Sequence, residues 1–526
     1  MCVAAPLFSA RCPVGALTSK PFAFTARPWE LLRHESIDVQ DALGANIRVD
    51  TRGPEVMRIL PRLNEDVNEE WIGDKTRFSY DGLKRQRLDQ PMVRGADGFK
   101  PVQWVEALGL LSNKLASARG SEILGVVGDM VDAEGIIALK DLMNRLGSSN
   151  TMHVGNAQKL GVDTRADYLF NARITGIEQA DAVLLVGTNP RMESPVLAAR
   201  IRKVVKQALV PVFNVGPEAD LAMEVTQVGT STSELLDLAA GKSSNQALTD
   251  AFKKAKRPVV IVGMGALQGE ATAQATQQAL TALRAAFPAL STPEWNGVSI
   301  LHTAASRVAA QELGFVPGVN ALQSPARVVY LMGADDVLDR SLLAPDAFVV
   351  YQGHHGDAGA EQADLVLPSP AFTEKSGSYL NLEGRLQRTN VAVGRLANAR
   401  EDWAIVRALS EVMGKPLPYN TLDQVRARLA EVSPVFATYD TVETQSFVPK
   451  PASASASPST ATLQPFLSNY FMTDAISRSS KTMAKASAAL PTARNSYKAA
   501  MAQAQQQAQQ QAARSATSGA QQKAHA

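Results

Sequence analysis

Residues 122–127 form a short, mostly apolar run that stops at Gly128, and Asp132 then opens a helical pattern with Ile136, Leu139, Leu142, Met143 and Leu146 on one face before Gly147 ends it. A strand closed by glycine and followed by an amphipathic helix is the unit of a parallel, doubly wound sheet. The unit returns at 182–186, where Gly187-Thr188-Asn189-Pro190 is the turn and 195–207 the helix, and a further strand at 210–215 ends in Gly216-Pro217. A second set opens at 259–262 with a helix over 272–286, and strands follow at 328–332 and 348–351. This alternation implies an α/β chain of mainly parallel sheets, and two such units meeting near residues 240–258 are the simplest expectation.

Before this body, 46–51 and 56–60 are β-prone runs around Arg52-Gly53-Pro54-Glu55, which reads as a hairpin belonging to a small β cap. After about Tyr439 the composition shifts to Ser and Ala through 451–459 and ends in a Gln, Ala and Ser run that cannot bury enough apolar surface to order itself. Between these, 466–490 holds Phe466, Tyr470, Ile476 and Met483, with Thr473-Asp474 as a helix start, and reads as a docking helix.

Net charge is +2, yet residues 451–526 carry seven Lys or Arg and one acid, Asp474, so the first 450 residues hold 46 basic against 50 acidic side chains. A mildly acidic body argues against a nucleic-acid groove. The two cysteines, Cys2 and Cys12, both lie near the start, so the remaining chain has no thiolate for a metal or a disulfide. No apolar run reaches the roughly 18 to 20 residues that cross a bilayer. The first 29 residues lack acids and space Arg11, Lys20 and Arg27 among small and hydroxylic residues, a composition compatible with a transit peptide.

The stretch 362–393 carries a strand, 365–367, that stops at Pro368, followed by a loop with Glu374, Lys375, Asn381, Glu383, Gly384 and Arg385. It resembles the pterin-side loop of molybdopterin oxidoreductases. Cys12-Pro-Val-Gly-Ala-Leu-Thr-Ser-Lys-Pro21, Glu55-Val-Met-Arg-Ile-Leu-Pro-Arg62, Asn68-Glu-Glu-Trp-Ile72, Tyr80-Asp-Gly-Leu-Lys-Arg-Gln-Arg-Leu88 and Tyr351-Gln-Gly-His-His-Gly-Asp357 resemble the NADH-quinone oxidoreductase family of large iron-sulfur subunits, which belong to respiratory complex I, over roughly residues 12 to 440. Phe471-Met-Thr-Asp-Ala-Ile476 is similar to the end of some relatives.

The resemblance implies a fold of doubly wound sheets of the molybdopterin oxidoreductase type, with an arm over 1–28 (a remnant of an iron-sulfur region or a transit segment). A cap follows over 29–90 that resembles a 4Fe-4S domain without cluster ligands, then a body over 91–440 in two parts and a tail over 441–526. In the family a ferredoxin-like region precedes this point, and Cys12 matches the last ligand of one of its four-iron clusters, so Cys12 is expected to ligate only where a partner chain supplies the other thiolates. Residues 29–90 contain no cysteine and, of histidines, only His34, which excludes a cluster there by ligand count. The strand after the Gly187 turn ends at Gly216 where cofactor-binding relatives carry an acid facing a ribose, so molybdopterin is expected to be absent.

The remaining motifs read as structure. Gly263-Met-Gly-Ala-Leu-Gln-Gly269 has the wrong spacing for a dinucleotide fingerprint and no acid at the end of a following strand, which leaves a tight strand-to-helix turn. His354 and His355, adjacent in a strand, would face opposite sides, favouring hydrogen bonding over metal ligation. Lys84-Arg85-Gln86-Arg87 reads as a solvated or interface face, and Glu374, Lys375, Glu383 and Arg385 as an ion-paired network rather than an acid/base cluster.

The expected function is that of a scaffold component of mitochondrial complex I, on the matrix side of the inner membrane, supporting electron transfer from NADH to ubiquinone beside the other subunits of the assembly. No catalysis by the isolated chain is expected. A free-standing molybdopterin-dependent oxidoreductase is the alternative, and a soluble dinucleotide enzyme using the Gly263 loop a third.

Overall fold

In the computed structural model Asp132 caps the helix Ala133–Leu146, accepting the Gly135 amide at 2.7 Å, and Gly147 ends the helix in the left-handed region at φ 71. A short acceptor at the first turn and a glycine past the last are what the free amides and carbonyls of a helix end require. The structure describes residues 16, 18–154, 164–317, 322, 324–443 and 460–490. Cys2 and Cys12, most of the arm, and the low-complexity parts of the tail lie outside the described residues.

In chain order the strands are β1 (Leu32–Ile37), β2 (Asn46–Arg52), β3 (Glu55–Pro61), β4 (Met92–Gly95), β5 (Gly98–Pro101), β6 (Ile123–Val127), β7 (Thr151–His153), β8 (Ala182–Val186) and β9 (Val212–Val215). They continue as β10 (Thr226–Gly229), β11 (Pro258–Gly263), β12 (Val298–Leu301), β13 (Val316–Pro317), β14 (Ala326–Met332), β15 (Leu343–Gly353), β16 (Leu365–Pro368), β17 (Ser378–Leu380) and β18 (Leu386–Arg388). Antiparallel β1, β2 and β3 make the N-terminal sheet, with β2 and β3 joined through Gly53-Pro54. One larger sheet has the order β10-β9-β8-β11-β12, all parallel, and the other β13-β7-β6-β14-β15-β16-β4-β5, parallel except at the β16, β4 and β5 edge.

This order corrects the expected division near residues 240–258. Strands β11 and β12 lie beyond that point yet pair onto β8, from Pro258 against Ala182 to Val262 against Val186. The chain leaves the eight-stranded sheet after β7, builds the whole five-stranded sheet, and returns at β13. The polar stretch at 240–258 only links two strands of one sheet, through the helix Gln246–Lys254.

Every residue of β6, β8 and β11 is buried, which is why these runs are continuously apolar rather than alternating. A single apolar cluster contains Val127, Leu139 and Tyr330 of the larger sheet layer together with Leu184, Val186 and Val262 of the smaller, so the two sheets share a core. A second cluster joins Ile47, Val49 and Ile59 of the N-terminal sheet to Val183, Leu185 and Ile261.

Candidate functional site

Parallel sheets present functional groups beyond the carboxyl ends of their strands, at the point where the strand order reverses. In the five-stranded sheet that point lies between β8 and β11, and in the eight-stranded sheet between β6 and β14. Both are closed by glycines in contact. A β-carbon on Gly263 would lie 2.4 Å from Thr188 Cβ, one on Gly187 would lie 2.6 Å from the Ala266 nitrogen, and one on Gly128 would lie 1.6 Å from the Gly333 carbonyl oxygen. At the end of β9, Gly216 has φ 146 and packs against Gly187, and the polar groups beside it are carboxamides: Asn214 Nδ2 donates to Gln227 Oε1 at 2.8 Å, and Gln227 Nε2 donates to the Gly216 carbonyl at 2.7 Å.

A cavity of about 370 Å³ remains between the two crevices. Its charged groups are mostly paired within the wall. Arg307 Nη2 donates to Asp129 Oδ1 at 2.7 Å and Nη1 contacts His153 Nδ1, while Lys75 Nζ donates to Thr473 Oγ1 at 2.6 Å and to the Gln40 carbonyl at 2.7 Å, 3.7 Å from Asp474. Glu193 accepts from Thr188 Oγ1 at 2.6 Å and from the Asn189 amide at 2.9 Å, yet burial pushes its carboxyl up to about 7.

In the loop beyond β16, whose sequence carries the likeness to a pterin-side loop, each charged side chain finds a separate partner. Glu374 Oε2 accepts from Arg87 Nη2 at 2.7 Å, and Glu383 Oε1 accepts from Arg385 Nε at 3.0 Å. Lys375 Nζ lies 2.8 Å from Asp132 Oδ2 and 2.6 Å from Asp402 Oδ2, all three buried. Burial opposes the lysine charge, but the two carboxylates hold it well above its ordinary value; burial pushes Asp132 up to about 6 against the pull of Lys375. Asn381 Oδ1 accepts from the amides of Glu383 and Arg385 and closes the tight turn at Gly384, φ 82. This is the expected ion-paired network, and it offers no free acid or base.

The structure corrects two expectations. β15 ends at Gly353, so strand alternation does not reach the histidines: the rings of His354 and His355 meet edge to face at 4.7 Å, with Nδ1 atoms 2.5 Å apart, and His355 Nε2 donates to the Gly82 carbonyl at 3.0 Å. Arg87 is not a surface cation, since its ion pair with Glu374 is buried on both sides, whereas Lys84 pairs with Glu55 at the surface. The Gly263 segment is a tight turn, a 3-10 stretch over Met264–Leu267 leading to the helix Glu270–Ala286.

The sequence reading treats Asp132 only as a helix cap and misses Asp402 altogether. An acid at the first helix after a glycine-ended strand is where doubly wound sheets aim their polar groups, and that signal is present at Asp132. The cap region carries no thiolate: its interior is filled by Ile37, Leu43, Ile47, Val49, Ile59 and Ile72, and Asn68, fully buried, ties its loop together. Among the described residues no group of three or more His, Cys, Asp or Glu side chains is placed to hold a metal ion, and no helix is long and apolar enough to cross a membrane.

A family model described as molybdopterin oxidoreductase matches residues 87–412. A model described as the NADH-ubiquinone oxidoreductase NDSU1/NuoG-like 4Fe-4S domain matches residues 31–81, and one for the C-terminal part of the same NADH-ubiquinone oxidoreductase polypeptide matches residues 433–486. The chain is 49% identical over 491 residues to the mitochondrial NADH dehydrogenase [ubiquinone] iron-sulfur protein 1 of Solanum tuberosum, covering 91% of this chain and 64% of that protein. It is 41% identical over 501 residues to the NADH-ubiquinone oxidoreductase 75 kDa subunit of Reclinomonas americana, covering 90% and 71%. The chain thus spans just under two thirds of the length of the first of these relatives. Among solved structures, acetylene hydratase from Pelobacter acetylenicus aligns at a TM-score of 0.47 and 11% identity, over 73% of this chain and 69% of that one.

Proposed function

Because this chain belongs to the NuoG-like family of NADH-ubiquinone oxidoreductase iron-sulfur proteins and is built on the molybdopterin oxidoreductase fold, we propose that it is an architectural component of mitochondrial respiratory complex I. In this reading it sits in the peripheral arm, on the matrix side of the inner membrane. It packs against other subunits of the complex and holds the electron-transfer path from NADH to ubiquinone in fixed geometry, without turning over substrate alone. The 29–90 cap and the 91–440 body are the parts that do so.

One observation carries this reading. The strand-end crevices, where this fold presents a pterin dinucleotide, are shut by backbone against backbone at Gly187 and Gly263 and at Gly128 and Gly333. The remaining space, about 370 Å³, lies at the low end of ~300–1,000 Å³ for small-ligand sites, and its cations are already paired. The residues present therefore do not fit molybdopterin, and no step of a reaction is routed through it. A domain of the 4Fe-4S type spans 31–81, but with no cysteine in that range a cluster has no thiolate to bind there. Cys12 can join a four-iron cluster only where another polypeptide provides further thiolates.

The test is size-resolved detection of this polypeptide in purified complex I. Its presence in the matrix arm supports the proposal, and consistent absence defeats it. Stoichiometric molybdenum or tungsten in the purified chain would favour the free-standing oxidoreductase instead.

A further inference from the structure

The segment from residue 460 onward does not project toward a partner. It runs over the carboxyl ends of the five-stranded sheet. Thr462 forms an antiparallel bridge with Ser231, the Thr232 amide donates to the Ala461 carbonyl at 3.0 Å, and the Leu463 amide donates to the Thr230 carbonyl at 2.9 Å. Leu463 is buried against the main core with its side chain toward Gly216, and a β-carbon on Gly265 would lie 2.3 Å from the Gln464 carbonyl oxygen. Phe466 and Leu467 then form part of the wall of the cavity between the sheets.

Farther on, the same segment binds the other two units. Asp474 caps the short helix Ala475–Ser479 and lies 3.7 Å from Lys75 of the cap. Arg478 Nε donates to Asp357 Oδ2 at 2.6 Å, just past β15. Ser480 Oγ donates to Asp81, and a β-carbon on Gly82 would lie 2.1 Å from the Ile476 carbonyl oxygen. Phe471, Ile476 and Met483 are fully buried in these contacts.

We propose that residues 460–483 are an intramolecular clasp: they occupy the strand-end crevice in place of a dissociable nucleotide-type ligand and lock the cap to both sheets. Backbone atoms of the chain itself fill the approach to Gly187, Gly216 and Gly265, the position at which such sheets receive a nucleotide. The inference rests on the fold and these contacts, and stands whether or not the chain is found in complex I.

The test uses the full chain and two readouts, amide hydrogen exchange and titration with GDP as the probe nucleotide. The wild-type chain is expected to show protected amides over 187–188, 230–232 and 263–267 and no GDP binding at millimolar concentration. Leu463→Asp is expected to speed exchange at those amides about a hundredfold, the loss anticipated from undoing one buried leucine, while β6 and β14 stay protected. Micromolar GDP binding by the wild-type chain, or unchanged protection in L463D, overturns the proposal. If L463D fails to fold, the pair Ser231→Cys and Thr462→Cys decides, because cross-strand neighbours lie within disulfide range. Oxidation should form that bond in nearly all molecules and slow exchange over 263–267; failure to form it sinks the clasp.

Discussion

Gly128 and Gly333 meet where β6 and β14 end, so closely that a β-carbon on the first would lie 1.6 Å from the carbonyl oxygen of the second. The contact is backbone against backbone, and no rotamer change relieves it. Gly128→Ala is therefore expected to cost about 3 kcal/mol or more, at or beyond the usual range for overpacking. Gly53→Ala is the control: Gly53 has φ 57 but open space around its β-carbon position, so only backbone strain of about 1 kcal/mol is expected. Denaturant midpoints of the two variants should separate accordingly, and equal midpoints would refute the closed crevice.

Lys375 is the sole cation touching both Asp132 and Asp402 in the core among the described residues. Lys375→Met leaves two buried carboxylates without a partner and should cost about 3–5 kcal/mol. Adding Asp132→Asn and Asp402→Asn should recover most of that, since neutral amides still accept from Gly135 and Gln352. The lysine is held above its ordinary value, so its contribution is complete below about pH 10.4 and is lost only as pH rises through the folded value. The cost of K375M measured by denaturation should hence be constant from pH 7 to 9.

These residues also mark how far the sequence can be read. Asp132 and Gly147 are local signals, and they bound the helix to within a residue. The apolar runs of β6, β8 and β11 are equally plain, because burial on both faces leaves no polar alternation to confuse them. Pairing is not legible: nothing in the run at 258–263 says that it lies beside β8 and not β14, since every central strand has the same apolar surface. The partners of Lys375 are hidden for a related reason, as Asp132 and Asp402 belong to separate helices that only the tertiary fold brings together. The segment from 460 to 483 is visibly patterned, but its apolar residues do not reveal whether they cover this chain or another.

Glu193 supplies a pH test. Burial pushes its carboxyl up to about 7, so the folded chain holds a proton there that the unfolded chain releases near its ordinary value of 4.5. The contribution is fully present below about pH 4.5 and is lost as pH rises through 7. Relative to Glu193→Gln, which mimics the protonated form, the wild-type chain should lose on the order of 3 kcal/mol between pH 4.5 and 8. Thermal melts of both proteins across that range test it, and parallel curves would show that Glu193 is ionised in the fold.

Asn68 is fully buried in the cap, and it organises by hydrogen bonds a loop in which no thiolate is available. Its Nδ2 lies 3.1 Å from each of the carbonyls of Arg62, Glu69 and Trp71, and its Oδ1 accepts the Asn46 amide at 2.9 Å. Asn68→Ala strips partners from several buried groups at once and should destabilise the cap by about 3 kcal/mol or more. Asn68→Asp keeps the acceptor but turns a second oxygen toward three carbonyls, which favours the protonated carboxyl and raises its pKa in the fold. Stability of N68D should then increase as pH falls from 7 to 5, whereas the deficit of N68A should stay flat. If both variants respond alike to pH, the amide does not hold the loop through its donors, and the cap must owe its shape to the apolar interior alone.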